Sequence, residues 1–172
     1  MKKRTERMAL MAVLLALMLV LGFIESLIPL GVGIPGIKLG LANGVLLFAL
    51  YMLGTKEAIV LMVLKVTVPL LYIPSYLQTI MYSAAGSVLS LTAMLLVKRI
   101  RGIGILGVSM TGAVMHNAGQ VLMAMLILQT VSLLYYLSVL LVVGIVTGVL
   151  TGTAAKLVMQ SLKKPGNRPG CL

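Results

Sequence analysis

Six apolar stretches divide this chain, each long enough or nearly long enough to cross a hydrocarbon core about 30 Å thick. The first runs from Met8 to about Leu30 and is followed by a Gly/Pro-rich link, Gly31 to Lys38. The second, Leu39 to Leu53, is short. Gly54-Thr55-Lys56-Glu57 then turns into the third, which ends near Ile73, just before Pro74. The fourth covers Ile80 to Val97 and stops at Lys98-Arg99-Ile100-Arg101-Gly102. The fifth spans Ile103 to Leu128 and the sixth Leu133 to Val158. Composition points the same way. With 60% of 172 residues hydrophobic and 10% charged, the chain lacks the polar surface of a soluble domain, where roughly a quarter of residues carry charge. The pattern predicts an all-α integral membrane protein of six transmembrane helices. A single domain over residues 8–160 lies between a basic cytoplasmic N-terminus (1–7) and a polar, disordered cytoplasmic tail (161–172).

The basic start followed by an apolar run resembles a secretory leader. Met8 to Leu30 is too long for a leader's apolar region, however, and has no convincing small-x-small cleavage site before Glu25. It reads as a retained first helix. Cys171 has no partner for an internal disulfide and stands too near the terminus for a prenylation box.

The net charge of +11 would suit a nucleic-acid ligand, but its distribution is that of a membrane topology. With the N-terminus inside, one face collects Lys2, Lys3, Arg4, Arg7, Lys56, Lys98, Arg99, Arg101, Lys156, Lys163, Lys164 and Arg168. The opposite face collects Lys38, and Lys65 falls within a span. The positive-inside rule therefore places both termini in the cytoplasm. A five-helix alternative with a re-entrant second segment would put like-charged loops on opposite sides.

Helices in a bilayer associate through close packing of small residues. The sixth segment carries Gly144, Gly148 and Gly152 at spacing four, a groove for a neighbouring helix or, alternatively, for a second copy. The first carries Ala9, Ala12 and Ala16 in its cytoplasmic half. Ser83, Ser87 and Ser90 share a face of the fourth beside Gly86, and are expected to bond back to their own helix carbonyls.

Ionisable residues at membrane depth are expensive and mark candidate sites. Glu25, near the outer end of the first segment, meets either a ligand, a basic group or outer-face water. Lys65 either lines a pocket, beside the backbone opened by Pro69, or snorkels to the cytoplasm. The densest polar group is His116-Asn117-Ala118-Gly119-Gln120, near the middle of the fifth segment. His116 and Gln120 share a helix face, while Asn117 points about 100° away. One histidine with no cysteine nearby argues against a metal site by ligand count. Finally, Pro35-Gly36-Ile37-Lys38-Leu39-Gly40-Leu41-Ala42-Asn43 reads as an irregular outer loop entering a short helix, either a connection or a lid. The amides at that helix start, with Lys38, favour an anionic group.

That stretch, together with His116-Asn117-x-Gly119-Gln120, resembles the Gx transporter family, often labelled heptaprenyl diphosphate synthase component I. The resemblance extends from the first segment to the sixth. The family is similar to the S components of energy-coupling factor (ECF) transporters, six-helix proteins that capture micronutrients at the outer face. What the resemblance implies is an S-component-like bundle in the plasma membrane of a prokaryotic cell, with a T component and ATPase subunits as partners. It also implies that Ala9, Ala12 and Ala16 form the docking face. The substrate contacts expected on this reading are Glu25, Lys38, Asn43, Lys65, His116, Asn117 and Gln120. Neither cofactor, metal, catalytic residue nor nucleic acid is expected. A second reading is a non-transporting membrane subunit of isoprenoid, quinone or flavin-linked electron-transfer metabolism. Prenyl synthase chemistry requires carboxylate clusters for Mg²⁺-diphosphate. This chain has no aspartate, and Glu6, Glu25 and Glu57 lie in separate segments. It also has no G-x-x-x-x-G-K-[ST] loop for ATP.

Overall fold

A computed structural model describes residues 2–27, 38–72 and 77–163. Within them the chain forms six helices: α1 (Lys2–Leu27), α2 (Leu41–Met52), α3 (Thr55–Tyr72), α4 (Leu77–Lys98), α5 (Ile105–Leu128) and α6 (Leu134–Lys163). A 3-10 turn, Val131–Leu133, precedes α6, and no strand occurs among the described residues. The boundaries follow the apolar runs closely, with two differences. The basic segment before Met8 continues α1 as helix, because Lys, Arg and Glu are good helix formers. The second helix is shorter than expected, since Gly40 sits in the left-handed region at φ 85° and keeps Leu39 out of it.

Four helical stretches are long and apolar enough to cross a membrane: Arg4–Leu27, Leu77–Lys98, Ile105–Leu128 and Val131–Leu162. α3 carries three charged residues, and α2, with 12 residues, is about 18 Å long. The arrangement of polarity is that of a membrane protein. Outward faces carry Val13, Leu17, Val20 and Phe23 on α1 and Val142, Val146 and Val149 on α6, while Glu25, Asn43, Lys65, His116, Asn117 and Gln120 are buried. Hydroxyls left on outward faces satisfy themselves: Thr67, Thr92 and Thr153 each donate to a carbonyl four residues earlier.

The short helix is the axis of the bundle. α2 packs against each of the other five helices, and Ala42 through Leu50 are buried without a break. Around it, α4, α5 and α6 form a tight layer held by glycine contacts. α4 and α5 cross with backbones touching, since a Cβ on Gly119 would lie 2.8 Å from the Gly86 Cα. The α6 glycines face α5: a Cβ on Gly148 would lie 2.6 Å from the Met110 Cα, and one on Gly152 2.7 Å from the Ser109 Cβ. The glycine groove is thus filled from within the chain.

Candidate functional site

The polar residues gather where α1 ends and α2 begins. Glu25 retains 3% exposure, which rules out the reading in which its carboxylate reaches outer water. Its Oε1 instead accepts the backbone N–H of Leu41, across the link between the two helices. A carboxylate at a helix N-terminus meets unpaired N–H groups and the positive end of the helix dipole. At the start of α2, where an anionic group is expected, the Leu41 amide is therefore already engaged by a carboxylate of the chain itself.

Lys65 is buried on the inner face of α3 and does not snorkel. Its Nζ donates to Asn43 Oδ1 at 3.1 Å and to Ser87 Oγ at 3.4 Å. Asn43 stands in the first turn of α2, so the lysine bridges α3, α2 and α4. Ser87 does not bond back to its own helix as expected. Its hydroxyl oxygen instead accepts from the Lys65 ammonium, a charge-assisted bond that uses a lone pair of Oγ. Ser90, one turn on, is buried with its hydroxyl unpartnered among the described residues.

On α5 the four-residue spacing brings Gln120 Nε2 to 2.9 Å from His116 Nε2, while Gln120 Oε1 accepts the backbone N–H of Lys38 at 3.0 Å. That second bond ties the link to α5. His116 can lie this deep because two glycines face it. A Cβ on Gly86 would fall 2.8 Å from His116 Nδ1, and one on Gly40 3.0 Å from His116 Cδ2. Asn117 faces elsewhere, as its position on the helix predicts: its Nδ2 donates to the Leu140 carbonyl of α6 at 2.7 Å. It serves the α5–α6 contact and stands apart from the other six.

These groups border a cavity of about 330 Å³ between α1, α3, α4 and α5. Glu25, Lys38, Lys65 and His116 line it, with Thr79 and Ser83 of α4 and the apolar side chains Met18, Phe23, Val66, Pro69 and Ile80. Asn43 and Gln120 stand behind this lining, holding Lys65 and the link. Lys38 is the one lysine of the link between α1 and α2, and burial pushes its ammonium below the usual lysine range, with Glu25 partly opposing that shift. The Gly31 to Ile37 part of the anticipated lid, and the tail beyond Lys163, lie outside the described residues.

Two contributors escape the sequence. Ser87 was visible as part of a serine face, but nothing local distinguishes an acceptor for lysine from a back-bonded serine. Gly40 stood inside the Pro35 to Asn43 motif without any sign of its contact with His116. The alanines are placed otherwise: Ala9, Ala12 and Ala16 are all exposed along the outer side of α1. No group of three or more His, Cys, Asp or Glu side chains within reach of one metal ion occurs among the described residues.

No curated protein and no solved structure matches this chain. Residues 14–158 do match a family, from the fourth turn of α1 to near the end of α6, and so take in the whole cavity and its supports. The chain belongs to the family described as heptaprenyl diphosphate synthase component I.

Proposed function

We propose that this chain is a membrane substrate-capture subunit, similar to an ECF transporter S component. It crosses the membrane six times with both termini in the cytoplasm, and binds a small molecule from the outer face for uptake driven by partner ATPase subunits. The observation that carries this reading is the cavity. Glu25, Lys38, Lys65 and His116 converge on one cavity at the end of the bundle that charge distribution assigns to the outside. Placing an ammonium inside a span costs about 2.5–3.5 kcal/mol on insertion scales, and such a residue generally marks a ligand or ion pathway. The exposed alanine face of α1 supports a docking role at the other end, because small side chains let a partner helix approach closely.

The family's description favours a second reading, a subunit of a prenyl diphosphate synthase. Without aspartate, such a subunit would depend on a partner for its metal ligands. One experiment separates the two. The tagged protein is purified from its native membrane, and its partners and extracted small molecules are identified by mass spectrometry. The capture reading expects a T component, an ATPase pair and a small molecule bound at the cavity. It further expects Ala12→Leu to lose the protein partners while keeping the small molecule. Recovery with prenyl-transfer or redox proteins alone overturns it.

A further inference from the structure

The charges at the cavity do not balance. Two ammonium groups line it, Lys38 and Lys65, against the single carboxylate of Glu25. The chain has two other acids, and neither is at hand. Glu6 lies in the second turn of α1, far from Glu25 along the same helix. Glu57, at the start of α3, faces Arg7 at 3.9 Å, the one ion pair of that range among the described residues. Lys65 Nζ meets only neutral acceptors within hydrogen-bond range, Asn43 Oδ1 and Ser87 Oγ. One oxygen of Glu25 is engaged by the start of α2. With these groups charged, the cavity holds one positive charge in excess, beside the apolar side chains of Met18, Phe23, Val66, Pro69 and Ile80.

On the capture reading, which this inference presupposes, we infer that the ligand is a small organic monoanion: one carboxylate, or a group of equal charge, on an apolar body. The anionic group lies toward the ammonium groups of Lys38 and Lys65, and the body lies against the apolar wall of α1, α3 and α4. A neutral ligand leaves the excess charge uncompensated, and a cation adds to it. A diphosphate brings more negative charge than the cavity offsets, and its surplus would be buried. At about 330 Å³ the cavity is at the small end of ligand sites, which suits a single ring or a short branched chain. Glu25 already takes the Leu41 amide at the start of α2, so the recognition is assigned to the lysines.

The test uses the full chain in phosphatidylcholine nanodiscs, with binding followed by saturation-transfer NMR and by the shift in unfolding temperature. The probes are three matched series on phenyl and cyclohexyl scaffolds: carboxylates (benzoate first), primary amides (benzamide) and amines (benzylamine). The carboxylates are expected to bind at least about tenfold more tightly than their amides, the difference one charge-assisted hydrogen bond makes. Lys38→Gln is expected to remove most of that preference. Because Lys38 is only partly buried whereas Lys65 is buried, this variant is the safer test of folding, with Lys65→Met as the second. Amides or amines binding as well as carboxylates would overturn the monoanion while leaving the capture pocket in place. Absence of binding in all three series would overturn the capture reading as well.

Discussion

Gly40 is the residue on which the candidate site turns. It stands between Lys38, whose backbone N–H is held by Gln120, and Leu41, whose N–H is held by Glu25. Its φ of 85° reverses the chain between those two bonds, and its missing Cβ leaves His116 room at 3.0 Å. Any L side chain meets both a conformational penalty and a collision. Gly40→Ala is expected to cost about 1–2 kcal/mol from the left-handed backbone alone, with more if the imidazole must move. Chemical unfolding in detergent measures the loss, and stability equal to wild type would mean that the link re-forms without this turn. The motif containing Gly40 is plain in the sequence, yet its use is not. A positive φ here is set by contacts with α1 and α5, residues far away in the chain, which local pattern does not report. Glu25 illustrates the same limit. Its depth in the first apolar segment was legible, whereas its bond to Leu41 depends on how two helix ends meet across the link.

At the scale of elements, α2 has charged side chains from other helices at both ends. Glu25 of α1 meets its N-terminus, and Lys98 of α4 donates to the Leu50 carbonyl at 3.0 Å near its C-terminus, with Nζ 4.5 Å from the Tyr51 ring centroid. Each charge has the sign that the helix dipole favours. A 12-residue helix is marginal alone, so burial on every side and these two contacts account for its order. The apolar run marks this helix in the sequence but not its axial place, since a short apolar segment has the same pattern at the centre or the rim. The glycine stripe of α6 was more legible. Spacing four marks a close helix contact, although the same stripe fits a dimer as well as an internal neighbour. Its contact with Met110 and Ser109 decides for the neighbour. Gly148→Val should therefore force α5 and α6 apart at a backbone-to-side-chain contact of 2.6 Å. A loss of about 1–3 kcal/mol is expected from overpacking, again by unfolding in detergent. An unchanged unfolding midpoint with altered self-association would assign the stripe to a dimer instead.

For the molecule as a whole, the question is whether α2 completes a crossing. Two contacts bear on it. Glu25 of α1 meets Leu41 at the start of α2, and Arg7 of α1 faces Glu57 just after the turn that follows α2. Arg7 and Glu25 are separated by about 27 Å along α1 at the standard helical rise. The stretch from Leu41 to Glu57 thus returns through nearly the depth that α1 covers. Its length is made up by the 12 residues of α2, the turn at Gly54 and the reach of the Arg7 and Glu57 side chains. Lys98 closes the remaining gap at the inner end, since helical side chains lean toward their own N-terminus and so extend up to Leu50. A crossing by α2 places Thr55 and Arg101 in the cytoplasm and Gln129 outside. All three are exposed, and in a Cys171→Ser background each can carry a lone cysteine. In intact cells an impermeant maleimide is expected to label Gln129→Cys at once, and Thr55→Cys and Arg101→Cys only after permeabilisation. Labelling of Thr55→Cys from outside would make α2 re-entrant. It would also move the Arg7–Glu57 pair to the outer face, where the cluster of Lys2, Lys3, Arg4 and Arg7 contradicts the positive-inside rule. The labelling pattern thus tests the central helix and the orientation of the cavity together.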